Sequence, residues 1–219
     1  MPPYSLPDLD YDFSALEPHI SGTIMELHHD KHHAAYVRNA NETLGRLDEA
    51  RSAEKLTGLA ALERALAFNL SGHILHSIFW KNLVPQGGDR PGGELARTLD
   101  RDFGSFDRFK RQLTEAAATI MGSGWAALIW EPAGGRLLII PIDDHQSNIV
   151  QGGTPLMVID AWEHAYYMQY QNRKTEFFEA VWRLWNWDDI AGRLQAARTR
   201  DSGPGGRQER GTGESGGSR

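Results

Sequence analysis

The sequence contains no cysteine among its 219 residues. A chain without thiols has no disulfide framework, no thiolate metal site and no cysteine nucleophile, so any bound metal must be held by imidazole or carboxylate groups. The chain also lacks an uninterrupted apolar run near the roughly 18 residues that a membrane-spanning helix needs. Because residues 1–13 lack the basic and apolar regions of a signal peptide, we expect a cytoplasmic protein without a membrane partner.

The sequence has no excess of basic residues either. It contains 23 Lys and Arg against 29 Asp and Glu, a formal net charge of -6. Since nucleic-acid binding depends mainly on a basic surface that neutralises phosphates, this balance argues against a DNA or RNA partner. The content of hydrophobic residues, 40%, and of charged residues, 24%, is typical of a folded globular chain.

Helical periodicity dominates the first ninety residues. Apolar residues recur at helical spacing from about 21 to 47 and from about 54 to 83, where a segment rich in Pro and Gly ends the second run. Two successive helices predict a long helical hairpin, which we assign to an N-terminal domain of residues 1–90.

The pattern changes after the Pro- and Gly-containing segment at 91–93. Residues 94–103 and 107–121 predict two helices, and Ser105 is a candidate cap for the second. Further elements follow along the chain, namely three short apolar strands at 125–130, 136–141 and 155–159 and helices at 163–185 and 187–197. The first two strands are predicted to form a hairpin.

This order of elements predicts an α+β fold, with a C-terminal domain of residues 91–198 in which a three-stranded antiparallel sheet is flanked by helices. Residues 199–219 are rich in Gly, Ser and Arg and contain no large apolar residue. Such a segment cannot offset the entropy of ordering, which predicts a disordered tail.

Histidines form two clusters on the predicted helices. The clusters are His28, His29, His32 and His33 in the first helix, and His73 and His76 in the second. Residues three or four apart share a helix face, so each cluster could point at a common interior site. Taken alone, a histidine pair at this spacing is more often a solvated polar face than a metal site.

The surroundings favour a buried site. Asp160 ends an apolar run, His164 follows four residues later, and both are embedded in apolar and aromatic sequence, as is His76. An unpaired polar group is costly to bury, so imidazoles and a carboxylate in such places indicate a bound cation. Three imidazoles and one carboxylate suit Zn, Mn, Fe or Co, and the residues alone do not choose among these metals.

At these residues the sequence resembles the iron/manganese superoxide dismutase family. The resemblance covers about residues 3–198 and includes Leu-His-His-Asp-Lys-His-His-Ala-Ala-Tyr-Val, Gly-His-Ile-Leu-His-Ser-Ile-Phe-Trp and the highly specific Asp-Ala-Trp-Glu-His-Ala-Tyr-Tyr at 160–167. It implies an oxidoreductase that converts two superoxide radicals to dioxygen and hydrogen peroxide. One bound manganese or iron ion per subunit, with manganese slightly favoured, would be reduced and reoxidised in turn. It also implies a homodimer, or a homotetramer.

The resemblance also implies roles for individual residues. It makes the protein ligands of the metal His28, His76, Asp160 and His164, with water or hydroxide as a fifth ligand. It excludes His29, His33 and His73 as ligands. It implies that His32 and Tyr36 gate the substrate channel, with Tyr167 beside them. It also implies that an apolar wall around the ion is formed by Trp80, Trp125 and Trp162. It implies that Glu163 reaches across a dimer interface to His164 of the partner subunit, where it would orient that ligand.

Two positions depart from the commonest family pattern. His145 lies at a position where many family members have Gln, and a His there resembles an actinobacterial-type subgroup. This resemblance implies that His145 hydrogen-bonds the solvent on the metal. The alternative for His145 is a surface-loop histidine. Leu75 precedes the ligand His76 where Asn is frequent, for which we expect only a packing consequence. Lys31, Arg173 and Lys174 are candidates for steering an anionic substrate, although cationic residues on helices are usually solvated.

Two other classes of protein could use some of these residues. A ferritin-like di-iron protein needs two Glu-x-x-His motifs on bundle helices, whereas only Glu26 to His29 provides one here, and strands follow. A zinc hydrolase or a non-enzymatic metal-binding module could use the same three histidines and aspartate. Only the identity of the metal or an assay separates that class from a dismutase.

Overall fold

The computed structural model describes residues 2–201, which begin with a short 3-10 turn at Phe13–Leu16 and a long helical hairpin. The first arm of the hairpin is α1, Gly22–Leu27, and α2, Ala34–Ser52, and a π-helical turn at His28–His33 joins them. The second arm is α3, Leu59–Asn82. The predicted hairpin is therefore present. The prediction that its second helix starts near residue 54 was wrong, because Gly58 takes a left-handed φ of 89° and α3 begins after it.

The π-helical turn decides which side chains of the first arm face the same way. In a regular α-helix, residues eight apart are rotated by about 800°, which leaves their side chains roughly 80° apart. One extra residue in a π turn reduces this offset to about 20°, the value for residues seven apart. His28 and Tyr36 consequently lie on one face of the arm, although they are eight positions apart.

The C-terminal part begins with two helices and continues into a sheet. The helices are α4, Gly93–Phe103, and α5, Phe106–Ala118, and the Ser105 side chain accepts a hydrogen bond from the Arg108 amide as the predicted cap of α5. The strands are β1, Gly124–Glu131, β2, Arg136–Asp143, and β3, Thr154–Asp160. They form an antiparallel sheet in the order β2-β1-β3, which confirms the α+β fold and the β1–β2 hairpin.

The chain after the sheet is more broken than the sequence predicts. The single helix predicted at 163–185 is wrong, because the segment divides into a 3-10 turn at Glu163–Ala165, α6 at Tyr167–Tyr170 and α7 at Lys174–Val181. Gln171 takes a left-handed φ of 53°, which ends α6.

The last helix is α8, Trp187–Asp201. The prediction that a tail starts at residue 199 was wrong, since the helix continues through that position, and the rest of the predicted tail, 202–219, lies outside the described residues. None of the helices among residues 2–201 combines the length and the apolar character that crossing a membrane requires.

The two parts of the molecule are hydrogen-bonded where α3 ends. The Val84 amide donates to the Leu184 carbonyl over 2.8 Å, and the Asn186 amide donates to the Asn82 carbonyl over 2.7 Å. These bonds place the end of α3 beside the start of α8, while α3 packs along β3. A site between α3 and β3 therefore draws residues from both parts of the chain.

Candidate metal centre

Four side chains converge at the junction of the hairpin and the sheet. They come from the π-helical turn, from α3, from the last position of β3 and from the 3-10 turn, and they are His28, His76, Asp160 and His164. One ligand atom from each lies within 4.8 Å of all the others. The structure thus brings together the four residues that the sequence resemblance marks as ligands.

The Asp160 carboxylate is central to this cluster. Its Oδ2 lies 3.0 Å from Nε2 of His28, 3.2 Å from Nε2 of His164 and 3.7 Å from Nε2 of His76. Its other oxygen, Oδ1, accepts a hydrogen bond from the Trp162 amide over 2.8 Å. That bond orients the carboxylate, so Oδ2 faces the imidazoles.

The donor set fits a metal ion. Nε2 of His28 and Nε2 of His76 are buried and have no hydrogen-bond partner among the described residues. Nδ1 of His76 donates to the Gly72 carbonyl over 2.6 Å, so the proton is on Nδ1 and the lone pair of Nε2 points into the cluster. Orphaned imidazole nitrogens beside a buried carboxylate are costly without a cation, and three nitrogens with one oxygen suit manganese, iron or zinc.

The protonation states also suit metal binding. Burial, followed by the neighbouring His164, lowers the pKa of His28 to about 4, and burial holds the pKa of His76 well below its ordinary value. For Asp160, burial alone would raise the pKa, but His164 and His28 outweigh it and hold the pKa below its ordinary value. At neutral pH these imidazoles are neutral and the carboxylate is ionised, which are the forms that bind a metal.

Three tryptophans surround the cluster, as the resemblance implies. The Trp80 ring lies 4.7 Å from the His28 ring, and the Trp125 ring 4.9 Å from the His76 ring. Trp125 is paired with Asp160 in the register of β1 and β3. Trp162 stacks on His164 with ring centres 5.4 Å apart. Each of these rings thus lies against the imidazole of a candidate ligand.

His145 lies in the turn between β2 and β3, where Asp144 takes a left-handed φ of 51°. The side chain is buried, 1% exposed, so the alternative of a surface-loop histidine was wrong. Nδ1 of His145 accepts a hydrogen bond from Trp125 Nε1 over 3.0 Å, which leaves the proton on Nε2. Nε2 is buried without a partner among residues 2–201, and the ring lies 5.8 Å from the His76 ring.

Tyr36 and His32 lie at the edge of the cluster. The buried Tyr36 ring is 4.6 Å from the His145 ring and 5.2 Å from the His76 ring. Burial, then the charges of Asp160 and Asp144, raise the pKa of Tyr36, so its hydroxyl keeps its proton. His32 is exposed and stacks on His164 at 4.4 Å. Burial, then His164, lowers its pKa below the ordinary value.

Tyr167 does not join these two residues within the described chain. It is 51% exposed and makes no ring contact with His32 or Tyr36. Glu163 is also exposed, on the same surface segment. Both residues therefore lie on the outside of a single chain.

The remaining histidines of the clusters are occupied elsewhere. His29 is hydrogen-bonded to the Pro7 carbonyl and to Asp30. Trp80 Nε1 donates to Nδ1 of His33, whose Nε2 lies 2.8 Å from Nδ1 of His73. This bonding keeps all three away from the ligand cluster.

Two neighbours of the site were missed in the sequence. Phe68, two turns before His76 on α3, lies 4.8 Å from the His145 ring and 6.2 Å from the Trp162 ring. A Cβ on Gly72 would come within 3.0 Å of the Tyr36 ring and 3.2 Å of the His145 ring. The α3 spacing of Phe68, Gly72 and His76, four residues each, was a signal that all three share one face.

Other predicted contributors have ordinary surroundings. Leu75 is buried in the core, in agreement with a packing role. Of the three steering candidates, Lys31 is exposed, Arg173 pairs with Glu176, and Lys174 donates to the Ile120 carbonyl.

Comparisons with known proteins agree with the fold. The family profile described as iron/manganese superoxide dismutases, alpha-hairpin domain, matches residues 3–84, and the profile described as iron/manganese superoxide dismutases, C-terminal domain, matches residues 91–193.

Curated relatives carry the same family name with different metals. An iron superoxide dismutase of Mycobacterium tuberculosis and a manganese superoxide dismutase of Mycolicibacterium smegmatis are each 52% identical over 203 residues, 93% of this chain and 98% of theirs. A Mn/Fe superoxide dismutase of Propionibacterium freudenreichii subsp. shermanii is 52% identical over 197 residues, 89% of this chain and 98% of its own. The chain belongs to the iron/manganese superoxide dismutase family.

Proposed function

We propose that the four converging side chains hold one manganese or iron ion, with which this superoxide dismutase converts two superoxide radicals to dioxygen and hydrogen peroxide. The observation that carries the proposal is the set of orphaned imidazole nitrogens around Oδ2 of Asp160. When bound, the ion supplies a centre that accepts an electron from one superoxide and donates it to another. The ligands are His28, His76, Asp160 and His164.

The residues around the cluster have separate tasks in this proposal. The tryptophan rings of Trp80, Trp125 and Trp162 exclude bulk water and hold the ligands in place. Tyr36 keeps its phenolic proton, and His145 keeps a proton on Nε2, so two proton donors face the centre from one side. His32 lies further out, against His164, where it relays protons from solvent. Product release as hydrogen peroxide requires two protons, which these groups supply.

The working unit in this proposal is a homodimer, with a homotetramer as a larger assembly. Glu163 is exposed beside Tyr167 and Met168, which are 51% and 64% exposed. The large exposed side chains of Tyr167 and Met168, residue types that are enriched at interfaces, support this assignment. Glu163 would then contact His164 of the partner subunit and fix the imidazole of that ligand, while Tyr167 would complete the surroundings of His32 from across the interface.

Three further assignments are proposals. The chain divides into a helical hairpin domain of residues 1–90 and an α+β domain of residues 91–198, which the gap between the family matches at 84 and 91 supports. Manganese is the slightly preferred metal. The protein is cytoplasmic, in keeping with a chain that contains no cysteine for disulfides.

Removal and replacement of the metal tests the activity. Chelation should abolish superoxide dismutation, and manganese or iron, added separately, should restore it. Zinc should bind without restoring activity, because it has no second accessible oxidation state. Restoration by zinc, or activity that survives complete metal removal, would refute the proposal.

A further inference from the structure

Asn82 connects the end of α3 to the outer edge of β3. Its side-chain Oδ1 accepts a hydrogen bond from the Val158 amide over 3.1 Å, and its Nδ2 donates to the Leu156 carbonyl over 3.1 Å. These two backbone groups lie on the free edge of β3, because β1 occupies the other edge. A side-chain amide carries one acceptor and a donor group, as a neighbouring strand residue does, so Asn82 completes the hydrogen bonding of an edge that would otherwise be unpaired.

The Asn82 side-chain amide also hydrogen-bonds to α8. Nδ2 of Asn82 donates to Oδ2 of Asp189 on α8 over 2.8 Å, and the same oxygen accepts from Arg193 Nε over 2.7 Å. The Asn82 side chain is fully buried, at 0% exposure. It therefore has little freedom to move without breaking several bonds.

These bonds join the two elements that carry opposing ligands. His76 lies six residues before Asn82 on α3, about 9 Å along the helix axis. Asp160 lies two residues after Val158 on β3, about 7 Å along the strand. The separation of 3.7 Å between His76 Nε2 and Asp160 Oδ2 thus depends on how closely α3 is held against β3, and the Asn82 side chain hydrogen-bonds across these two elements.

We propose that Asn82 is a positioning residue of the metal centre, which sets the separation of the His76 and Asp160 ligands through its hydrogen bonds to β3 and Asp189. The proposal rests on the proposed function, in that these two residues must be ligands. Asn82 does not touch the ligand cluster itself, so its effect acts through the relative placement of the two elements.

Asn41 offers a matched control. Its Oδ1 accepts from the Tyr4 amide over 3.1 Å, and its Nδ2 donates to the Tyr4 carbonyl over 2.8 Å. This is the same kind of side-chain pairing with a backbone segment, but it ties the N-terminal segment to α2 and involves neither α3 nor β3. Asn41→Ala and Asn82→Ala both lose a pair of side-chain hydrogen bonds to a backbone segment, while a change of ligand separation should affect only the second.

The test measures manganese in the wild-type protein and in both variants. The Mn(II) dissociation constant is obtained by competition with a chelator, and the zero-field splitting of bound Mn(II) by electron paramagnetic resonance. For Asn82→Ala we expect a dissociation constant at least about tenfold higher and an altered splitting, the size of change that residues supporting ligands usually cause. For Asn41→Ala we expect the wild-type constant and splitting.

Asp189→Ala provides a milder change should Asn82→Ala fail to fold. It removes only one of the three amide bonds, so we expect a smaller shift in the same direction, and Asp189→Asn, which keeps an acceptor, should restore the wild-type values. If the variants at positions 82 and 189 have the same Mn(II) dissociation constant and zero-field splitting as Asn41→Ala, the inference about Asn82 is overturned and the proposed function stands. A wild-type protein that binds no stoichiometric manganese or iron would overturn the proposed function instead.

Discussion

The indole Nε1 of Trp125 donates a hydrogen bond to Nδ1 of His145 over 3.0 Å, deep inside the molecule. This bond selects the tautomer of His145 that carries its proton on Nε2, the nitrogen without a partner among the described residues. Trp125 is at the same time the strand partner of Asp160. One residue thus both lines the cluster and determines what the nearby histidine can donate.

His145→Ala should therefore impair turnover more than metal binding. We expect about one metal ion per chain, as in the wild type, and a rate of dismutation at least about tenfold lower, since a hydrogen-bond donor beside the centre is lost. Metal analysis and stopped-flow kinetics check both values, with His19→Ala as the control. Trp125→Phe keeps an aromatic ring but removes the hydrogen bond that selects the His145 tautomer. Its rate of dismutation should therefore lie between those of the wild type and His145→Ala. A His145→Ala enzyme with unchanged kinetics would show that His145 does not contribute to turnover.

Tyr36→Phe should leave the metal content and the fold unchanged, because the ring still packs between His76 and His145. The hydroxyl that keeps its proton is lost, so proton delivery should slow. We expect up to about a hundredfold lower rate where proton transfer limits turnover, that is, at high superoxide concentration and high pH. Pulse radiolysis over a range of superoxide doses measures this. Identical kinetics at every dose and pH would exclude Tyr36 as a proton donor.

Gly72→Ala and Gly45→Ala separate close packing from helix propensity. Both glycines lie in long helices, but a Cβ at 72 meets the Tyr36 and His145 rings at 3.0 to 3.2 Å, while a Cβ at 45 meets nothing within 4 Å. Gly45→Ala should stabilise the protein by about 0.5–1 kcal/mol. Gly72→Ala should destabilise it by about 1–3 kcal/mol and lower activity by moving both rings.

Calorimetry and the dismutase assay compare the two glycine variants directly. Equal stability and equal activity for both variants would show that α3 does not pack tightly against Tyr36 and His145 at position 72.

Glu163→Gln tests the proposed dimer. If Glu163 contacts His164 of the partner subunit, loss of its charge should weaken the dimer by about 2 kcal/mol or more, because it breaks a desolvated charged hydrogen bond. Sedimentation velocity over a range of concentrations measures the dissociation. Glu115→Gln, a charge change at an exposed position of α5, should leave assembly unchanged. A wild-type monomer, or equal behaviour of the two variants, would contradict the proposed interface.

The sequence predicted the helices and strands that have a strong periodic signal. The hairpin, α4, α5 and the three strands follow from apolar periodicity and from breakers such as Pro85, and the ligand residues follow from motifs in fixed order. The motif-based choice among nine histidines depended on the family resemblance, because helical spacing alone leaves His29, His33 and His73 as possible ligands. Only the hydrogen bonds of the folded chain show where those three side chains are directed.

The errors have local causes that periodicity does not register. The segment after Asp160 contains enough apolar residues to resemble one helix, yet Gln169 and Tyr170 bond to Ser21 and His19, just before the hairpin, and a left-handed Gln171 ends α6. The π-helical turn at His28–His33 has no distinct sequence signal either, since it adds one residue to an otherwise ordinary helix. After Asp160, tertiary contacts override local helix preference.

The location of the metal tests the central claim most directly. Crystals of manganese-loaded protein should give one anomalous-difference peak per chain at the manganese absorption edge, roughly 2.0–2.2 Å from Nε2 of each ligand histidine and from Oδ2 of Asp160. The histidines are His28, His76 and His164. A peak at any other place in the chain, or no peak in protein that retains dismutase activity, would contradict the account.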